Sequence, residues 1–392
     1  MAGIYIHIPF CRSRCIYCGF YSTTSLEHRQ RYVEAVCREI AVRPLDTPVD
    51  TIYLGGGTPS QLTIEQLRQL FDTLYIYNKV RDGAEVTIEV NPDDVTVEFV
   101  AGLQQLPVNR VSMGAQTFSD ERLRFLHRRH TSLQVSEAVK RLRAAGIRNI
   151  SVDLMYGFPG ETLSDWQHDI DSALALDVEH LSAYCLTVEE GTELCKIISG
   201  KCTVDSYDYL ARPESNHNYP LSTVNCQLPD EELFRNMYYT LIDRLEAAGF
   251  EHYEISNFAK PGYRSRHNSS YWNGTPYIGL GAAAHSFDGK TRSWNISDLR
   301  KYIDGMEHGE RLYESETLDG DTRYNDQVTV ALRTREGLDL TRLSEQQRAY
   351  CLRSARRYID DGLLRLDSDR LSLTRRGLFV SDMVMAELMI IK

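Results

Sequence analysis

Three cysteines stand within eight residues near the start of the chain: Cys11, Cys15 and Cys18, in the stretch "FCRSRCIYCGF". Their spacing is C-x3-C-x2-C. A structural zinc site closes a tetrahedron with four ligands, so three thiolates need a remote His or Cys to complete it. A four-iron cluster takes one thiolate per iron, and three thiolates then leave one iron open. An open iron is a binding position, which a small molecule can occupy through an amine and a carboxylate. Three uncommitted thiols at a strand end would instead be an oxidation liability. Phe10, Tyr17 and Phe20 flank the triad, where aromatic rings would shield a cluster and help set its potential.

A second motif, "LGGGTPS", spans residues 54–60. Adjacent glycines let backbone approach a ligand closely and donate N–H groups, although a tight turn has the same composition. Glu89, Gln116, Arg128 and Asp153 are polar residues at or just beyond the ends of apolar runs. Each can be a cap or an ion-pair residue; together they would satisfy a buried ribose or carboxylate.

Elements that position these residues follow from hydrophobic patterning. Short apolar runs rich in Val, Ile and Tyr read as buried parallel strands at 3–9, 50–55, 85–90, 110–115, 149–156 and 180–186. Amphipathic helical stretches lie between them, at roughly 26–43, 62–78, 94–105, 119–128, 131–145 and 162–177. Six βα units imply an α/β fold with a parallel sheet wrapped by helices. The distinctive residues fall at the carboxyl ends of five different strands. That distribution suits a full or partial (β/α) barrel better than a doubly wound sheet with one switch point.

Residues 196–229 break the rhythm with a polar excursion that contains three prolines. Beyond residue 290 the composition changes. Residues 322–392 hold helical stretches, a short hairpin turning at "DSD" and a last helix, a winged-helix-like pattern. The expected division is a barrel with its cover segments over 1–290 and a C-terminal helical, winged-helix-like domain over 291–392. In 322–392, thirteen Lys and Arg face ten Asp and Glu, which is too mild an excess for a DNA-binding module.

The 392-residue chain carries a net charge of −11, which argues against nucleic acid or an anionic membrane as a broad partner. Its nine cysteines are an odd number. Cys37, Cys185, Cys195, Cys202, Cys226 and Cys351 lack tight spacing and read as small buried hydrophobes rather than a disulfide frame. No apolar run has the length of a membrane span. The start, "MAGIYIHIPFC", has no basic n-region or cleavage site, so a cytoplasmic location is expected.

These residues resemble the radical S-adenosylmethionine superfamily, whose signature is C-x3-C-x2-C. "YIHIPFCRSRCIYCGFYS", "YLGGGTPS", "IEVNP", "RVSMGAQTF", "DLMYGFPGET" and "YEISNFAKPGY" are similar to the oxygen-independent coproporphyrinogen III oxidase family. Within it, "HNSSYW" at 267–272 resembles the H-N-x-x-Y-W motif of the HemW heme chaperones. The resemblance covers nearly the whole chain apart from the excursion near 203–228. It implies a partial (β/α)6 barrel and a 4Fe–4S cluster held by Cys11, Cys15 and Cys18, with S-adenosylmethionine on the open iron. It assigns contacts with that molecule to Tyr5, Tyr17, Gly56, Gly57, Thr58, Glu89, Gln116, Arg128 and Asp153, with Thr187 and His285 near further cofactor positions. It makes His267, Tyr271 and Trp272 candidates for heme, since a neutral imidazole is a good axial ligand and the rings offer flat apolar faces. A structural His–aromatic cluster would have the same composition.

Two features separate chaperone from oxidase. The oxidases resemble C-x3-C-x2-C-x-C, and Phe20 stands where their last cysteine falls. They also carry an N-terminal extension that helps enclose substrate, whereas ten residues precede Cys11 here. The expected function is therefore a heme chaperone that delivers heme to an acceptor protein, with an electron donor such as a flavodoxin or ferredoxin. The alternative is an oxygen-independent coproporphyrinogen III oxidase (dehydrogenase) in porphyrin biosynthesis.

Overall fold

The structure is a computed structural model that describes residues 2–199 and 228–391. Most of the polar excursion at 196–229, with Cys202 and Cys226, lies outside the described residues. Six parallel strands form the centre: β1 (Gly3–Ile8), β2 (Val49–Gly56), β3 (Val80–Val90), β4 (Arg110–Gln116), β5 (Asn149–Tyr156) and β6 (His180–Cys185). They pair in sequence order, each with the next. Helices α1 (Arg29–Val42), α2 (Ile64–Tyr77), α3 (Val97–Leu103), α4 (Asp120–Phe125), α5 (Ser132–Ala144) and α6 (Leu163–Ala175) alternate with them. The expected (β/α)6 arrangement is present. Local chemistry fixes where several helices begin. Thr63 with Gln66, and Thr162 with Asp165, form reciprocal capping boxes at the starts of α2 and α6.

The sheet stays open and is wider than six strands. After α7 (Glu193–Ile198) and α8 (Glu231–Ala247), β7 (Glu251–Glu254) and β8 (Asn257–Ala259) add antiparallel strands beside β6. Helix α9 (Arg266–Trp272) follows. Then β9 (Tyr277–Leu280) pairs parallel with β1, and β10 (His285–Phe287), β11 (Thr291–Asn295) and β12 (Tyr313–Thr317) extend that side. The resulting twelve-stranded order runs β12-β11-β10-β9-β1-β2-β3-β4-β5-β6-β8-β7.

A strict two-residue alternation governs the six parallel strands. Ile4, Ile6 and Ile8, Ile52 and Leu54, Val86, Ile88 and Val90, and their counterparts on β4–β6, belong to one large core with the helices. On the opposite face the rungs are polar: Tyr5 faces Tyr53, Tyr53 faces Thr87, Thr87 faces Arg110, and Glu89 faces Ser112. The strands read in sequence as uniformly buried runs, but one face of each packs on helices while the other lines a polar interior.

The second core runs from Tyr324 to Leu388. Helix α10 (Leu299–Glu307) packs into the first core, and the second is built by α11 (Gly320–Leu332) and later elements. These are β13 (Leu338–Asp339), α12 (Glu345–Asp360), β14 (Leu364–Asp367), β15 (Arg370–Leu373), α13 (Arg375–Phe379) and α14 (Ser381–Leu388). The three short strands form an antiparallel sheet, with the expected hairpin between β14 and β15. Ser368 takes φ +54° at its turn. The expected division at 290/291 falls between the paired strands β10 and β11.

Candidate functional site

The cysteine loop leaves the carboxyl end of β1 and is pinned at several points. Cys11 N–H donates to the Thr23 carbonyl (2.9 Å), and Thr23 N–H donates to that of Pro9 (2.7 Å). Between the other two cysteines, buried Ile16 anchors the loop. It packs with Phe125, Leu126, Phe158 and Leu194, and its carbonyl accepts from Leu194 N–H (2.9 Å). All three cysteines are half-buried and free of disulfides, while Arg12, Ser13 and Arg14 between them are exposed.

Polar donors aim at two of the sulfurs. Thr58 Oγ1 lies 3.7 Å from Cys11 Sγ, and Arg128 Nη1 donates to Cys15 Sγ at 3.6 Å. Donors in such positions stabilise thiolates and tune a bound metal group. The same guanidinium donates through Nη2 to Asn91 Oδ1 (2.7 Å) and the Gly114 carbonyl (2.6 Å), while its buried Nε has no partner. Burial pushes the Cys11 thiol up and the Cys18 thiol up to about 11, so ligation must displace protons. Among the described residues, no three of His, Cys, Asp or Glu converge closely enough to hold a single metal ion. One thiolate per iron spreads its ligands across a cluster instead.

The glycine run lies directly alongside. Gly56 takes φ +110°, which excludes ordinary side chains, and a Cβ there would lie 2.5 Å from the His7 ring. At Gly57 a Cβ would sit 2.8 Å from the Pro9 carbonyl carbon, so the run lies against the chain that leads into the cysteines. Glu89 reaches under it. Its carboxylate accepts from the Tyr53 hydroxyl (2.7 Å) and from Gly56 N–H (3.2 Å). Burial pushes the Glu89 carboxyl up to about 7, reinforced by the Asp153 charge. Asp153 is likewise raised by burial, and the Ser112 hydroxyl donates to it at 3.3 Å.

Gln116 ends β4 in a left-handed conformation, φ +68°, at an irregularity in the β4–β5 register. A non-glycine residue held there is strained, and such strain collects at functional positions. Tyr5 shares the interior face, its hydroxyl 3.0 Å from His7 Nδ1. Tyr17 packs beside the Ile16 cluster. Thr187 is exposed and donates to the nearby Cys185 carbonyl at 3.3 Å. Of the three expected shielding rings, only Tyr17 remains half-buried next to the cysteines. Phe10 turns away into the helix-side core, edge-on to Tyr32 at 5.3 Å, and Phe20 is 70% exposed.

The histidine motif lies lower in the interior. Helix α9 is fixed by Glu85, whose carboxylate accepts the backbone N–H groups of Arg266 (3.0 Å) and His267 (2.9 Å). A carboxylate at a helix start is favourable. The His267 ring is wholly buried and stacks on Tyr53 at 5.1 Å. Its Nδ1 lies 2.8 Å from Thr51 Oγ1 and its Nε2 2.9 Å from the Tyr271 hydroxyl. Both ring nitrogens are therefore engaged, and burial pushes its pKa down to about 3. Tyr271 is adjacent, whereas Trp272 lies beneath the Arg333 guanidinium, 5.1 Å from the ring centroid.

Several interior groups escaped sequence reasoning. Tyr53, Asn91, Glu85 and Arg110 each touch or face the candidates. Arg110 is 1% exposed, and its Nε and Nη1 lack partners, as does Thr87 Oγ1 on the adjoining rung. Unmet hydrogen-bonding capacity of this kind marks a chamber that admits water or ligand. The available signal was the period-two recurrence of polar residues inside "TIYLG", "EVTIEV" and "RVSMGA".

Comparison with known proteins now identifies the class. A family model for the Radical SAM superfamily matches residues 5–173, and one for the HemN C-terminal domain matches 318–380. Heme chaperone HemW of Mycobacterium tuberculosis is 35% identical over 99% of this chain and 94% of its own. Heme chaperone HemW of Bacillus subtilis is also 35% identical, over 88% and 87%. Coproporphyrinogen III oxidase (HemN) from Escherichia coli shares the fold, with a TM-score of 0.81 over 99% of this chain and 89% of its own at 22% identity. Fold and matched segments define a Radical SAM protein, a class that implies a 4Fe–4S cluster and S-adenosylmethionine. Within that class, the chain belongs to the HemW family. The donor set fits this chemistry: three half-buried thiols, donors aimed at two sulfurs, and a glycine cradle at one strand end. Among the described residues, no helix is long and apolar enough to cross a membrane.

Proposed function

We propose that the protein is a heme chaperone that carries heme to an acceptor protein and houses a 4Fe–4S cluster with S-adenosylmethionine. Family membership over nearly the whole chain carries this reading. Cys11, Cys15 and Cys18 are the ligands in this reading, with Arg128 and Thr58 steadying the sulfurs of Cys15 and Cys11. A bound cluster supplies an open iron and an electron to S-adenosylmethionine. Gly56 and Gly57 give that molecule close backbone contact. Glu89 and Asp153 accept its hydroxyl or ammonium protons, Gln116 is held ready by its strained backbone, and Tyr5 and Tyr17 bound the space. Heme, an acceptor protein, a flavodoxin- or ferredoxin-like electron donor and a cytoplasmic location complete the reading.

The fold shared with HemN favours a second reading, a coproporphyrinogen III oxidase. Anaerobically reconstituted protein given coproporphyrinogen III, reductant and S-adenosylmethionine separates the two. Stable heme uptake with no vinyl-bearing product is expected. Decarboxylated product at sustained turnover would overturn the chaperone reading.

A further inference from the structure

The motif histidine is sealed, which raises the question of which imidazole remains open to an iron. A cavity of about 430 Å³ lies beside the cysteine loop, between β1 and the strands that extend the sheet past it. Its size lies within the range of small-molecule sites. Tyr5, Phe20, Tyr21, Tyr271 and Tyr277 give it aromatic walls, and His7 and His285 are the imidazoles that line it. The His7 ring is spent on the Tyr5 hydroxyl (3.0 Å) and the Tyr21 carbonyl (2.9 Å). His285 differs: it is exposed, and its ring stacks on Trp294 with centroids 5.7 Å apart at 24°. Stacking engages the face of an imidazole and leaves the edge nitrogens available.

His285 also has a rigid mount. The preceding turn places Ala283 at φ +61°. Buried Glu39 accepts from Gly281 N–H (2.9 Å), the Tyr32 hydroxyl accepts from Ala282 N–H (3.0 Å), and Asn295 N–H donates to the Ala284 carbonyl (3.0 Å). A ligand held on a fixed backbone binds a metal without reorganisation.

We propose that this cavity seats the porphyrin and that His285, rather than His267, is the imidazole ligand to its iron. The inference rests on the heme-chaperone reading. Flat aromatic walls suit a macrocycle, and a bound one would cover Phe20, which is 70% exposed beside the cysteine loop. Burial and the Arg292 charge lower the His285 pKa, so the ring is neutral at pH 7 and can ligate. Tyr5, one of the S-adenosylmethionine candidates, and Gly19, next to Cys18, also line the cavity, so it adjoins the cysteine loop.

The test is a heme titration of cluster-loaded protein, read by resonance Raman and electron paramagnetic resonance of the ferric heme. His285→Ala should weaken heme binding by roughly tenfold or more and abolish the imidazole-ligand signature. His285→Cys should retain heme and convert the spectrum to a thiolate type, which a merely structural role for the ring would not produce. Unchanged spectra in both variants would overturn the inference while leaving the chaperone reading standing. So would loss of the imidazole signature in His267→Ala with His285→Ala unaffected. Failure of the unsubstituted protein to take up heme would overturn the chaperone reading itself.

Discussion

At the carboxyl ends of β1–β5, polar groups are left with bonding capacity to spare. The three thiols carry no disulfide, Arg128 Nε has no partner, and Gln116 is held in a left-handed conformation. Around His267 the polar groups are instead closed on one another: both ring nitrogens are bonded and Glu85 caps α9, while Trp272 Nε1 at the far end of the helix is left without a partner. Buried polar groups that are fully paired specify a fold, whereas groups left unpaired or strained mark a place that expects a ligand. The cysteine motif thus falls in the open region, whereas the motif histidine, His267, is sealed.

Substitution should separate these regions cleanly. The largest effect is expected from Cys11→Ala, Cys15→Ala or Cys18→Ala, each of which should abolish the iron–sulfur absorption of reconstituted protein. Full iron retention in any one of them would remove that cysteine from the ligand set. In the sealed region, His267→Ala should cost about 2–5 kcal/mol, because it opens a cavity and strands the Thr51 and Tyr271 hydroxyls. Denaturant titration reads this loss, and reconstitution of the surviving folded protein should still yield a full cluster. A stable His267→Ala protein without iron would reverse the assignment of the two regions.

Glu89→Gln tests the open region more gently. Its carboxyl is raised to about 7, so it is protonated at pH 6 and ionised at pH 8. A ligand that donates protons to it should bind more tightly at pH 8, and calorimetry with S-adenosylmethionine should show that trend vanish in Glu89→Gln. An unaltered pH trend in the variant would show that another group sets it.

The last expected effect concerns acid stability. The folded His267 pKa of about 3 lies below the unfolded value near 6.5, so as pH falls the unfolded chain takes up the proton first. The stability that depends on neutral His267 is intact above about 6.5 and declines toward 3. The stability gap between the unsubstituted protein and His267→Asn should therefore narrow from pH 7 to pH 4. A constant gap would mean that the ring is not buried neutral.

Much of this architecture is written in local pattern. The six central strands and the helices between them follow from apolar periodicity and capping residues, and the C-terminal hairpin from its "DSD" turn. The cysteine loop was readable because its three thiols are close in sequence. Tyr53 and Arg110 were not, because each looks like one more residue of a buried run until the facing strand shows which side is polar. Phe10 was expected beside the cysteines, but it continues the two-residue alternation of Ile4, Ile6 and Ile8 and so falls on the helix-side face.

By itself, the sequence determined the chemistry on offer: three thiols at fixed spacing, a glycine run, and a histidine–aromatic motif, each encoded within a few residues. Only the tertiary structure decided which of these remain available. His267 is closed by Thr51 on β2, 216 positions away in the chain, while His285 stays open at the start of β10, after a turn anchored by Glu39 of α1. Availability depends on whether a polar atom meets its partner across the fold, and packing between distant segments settles that.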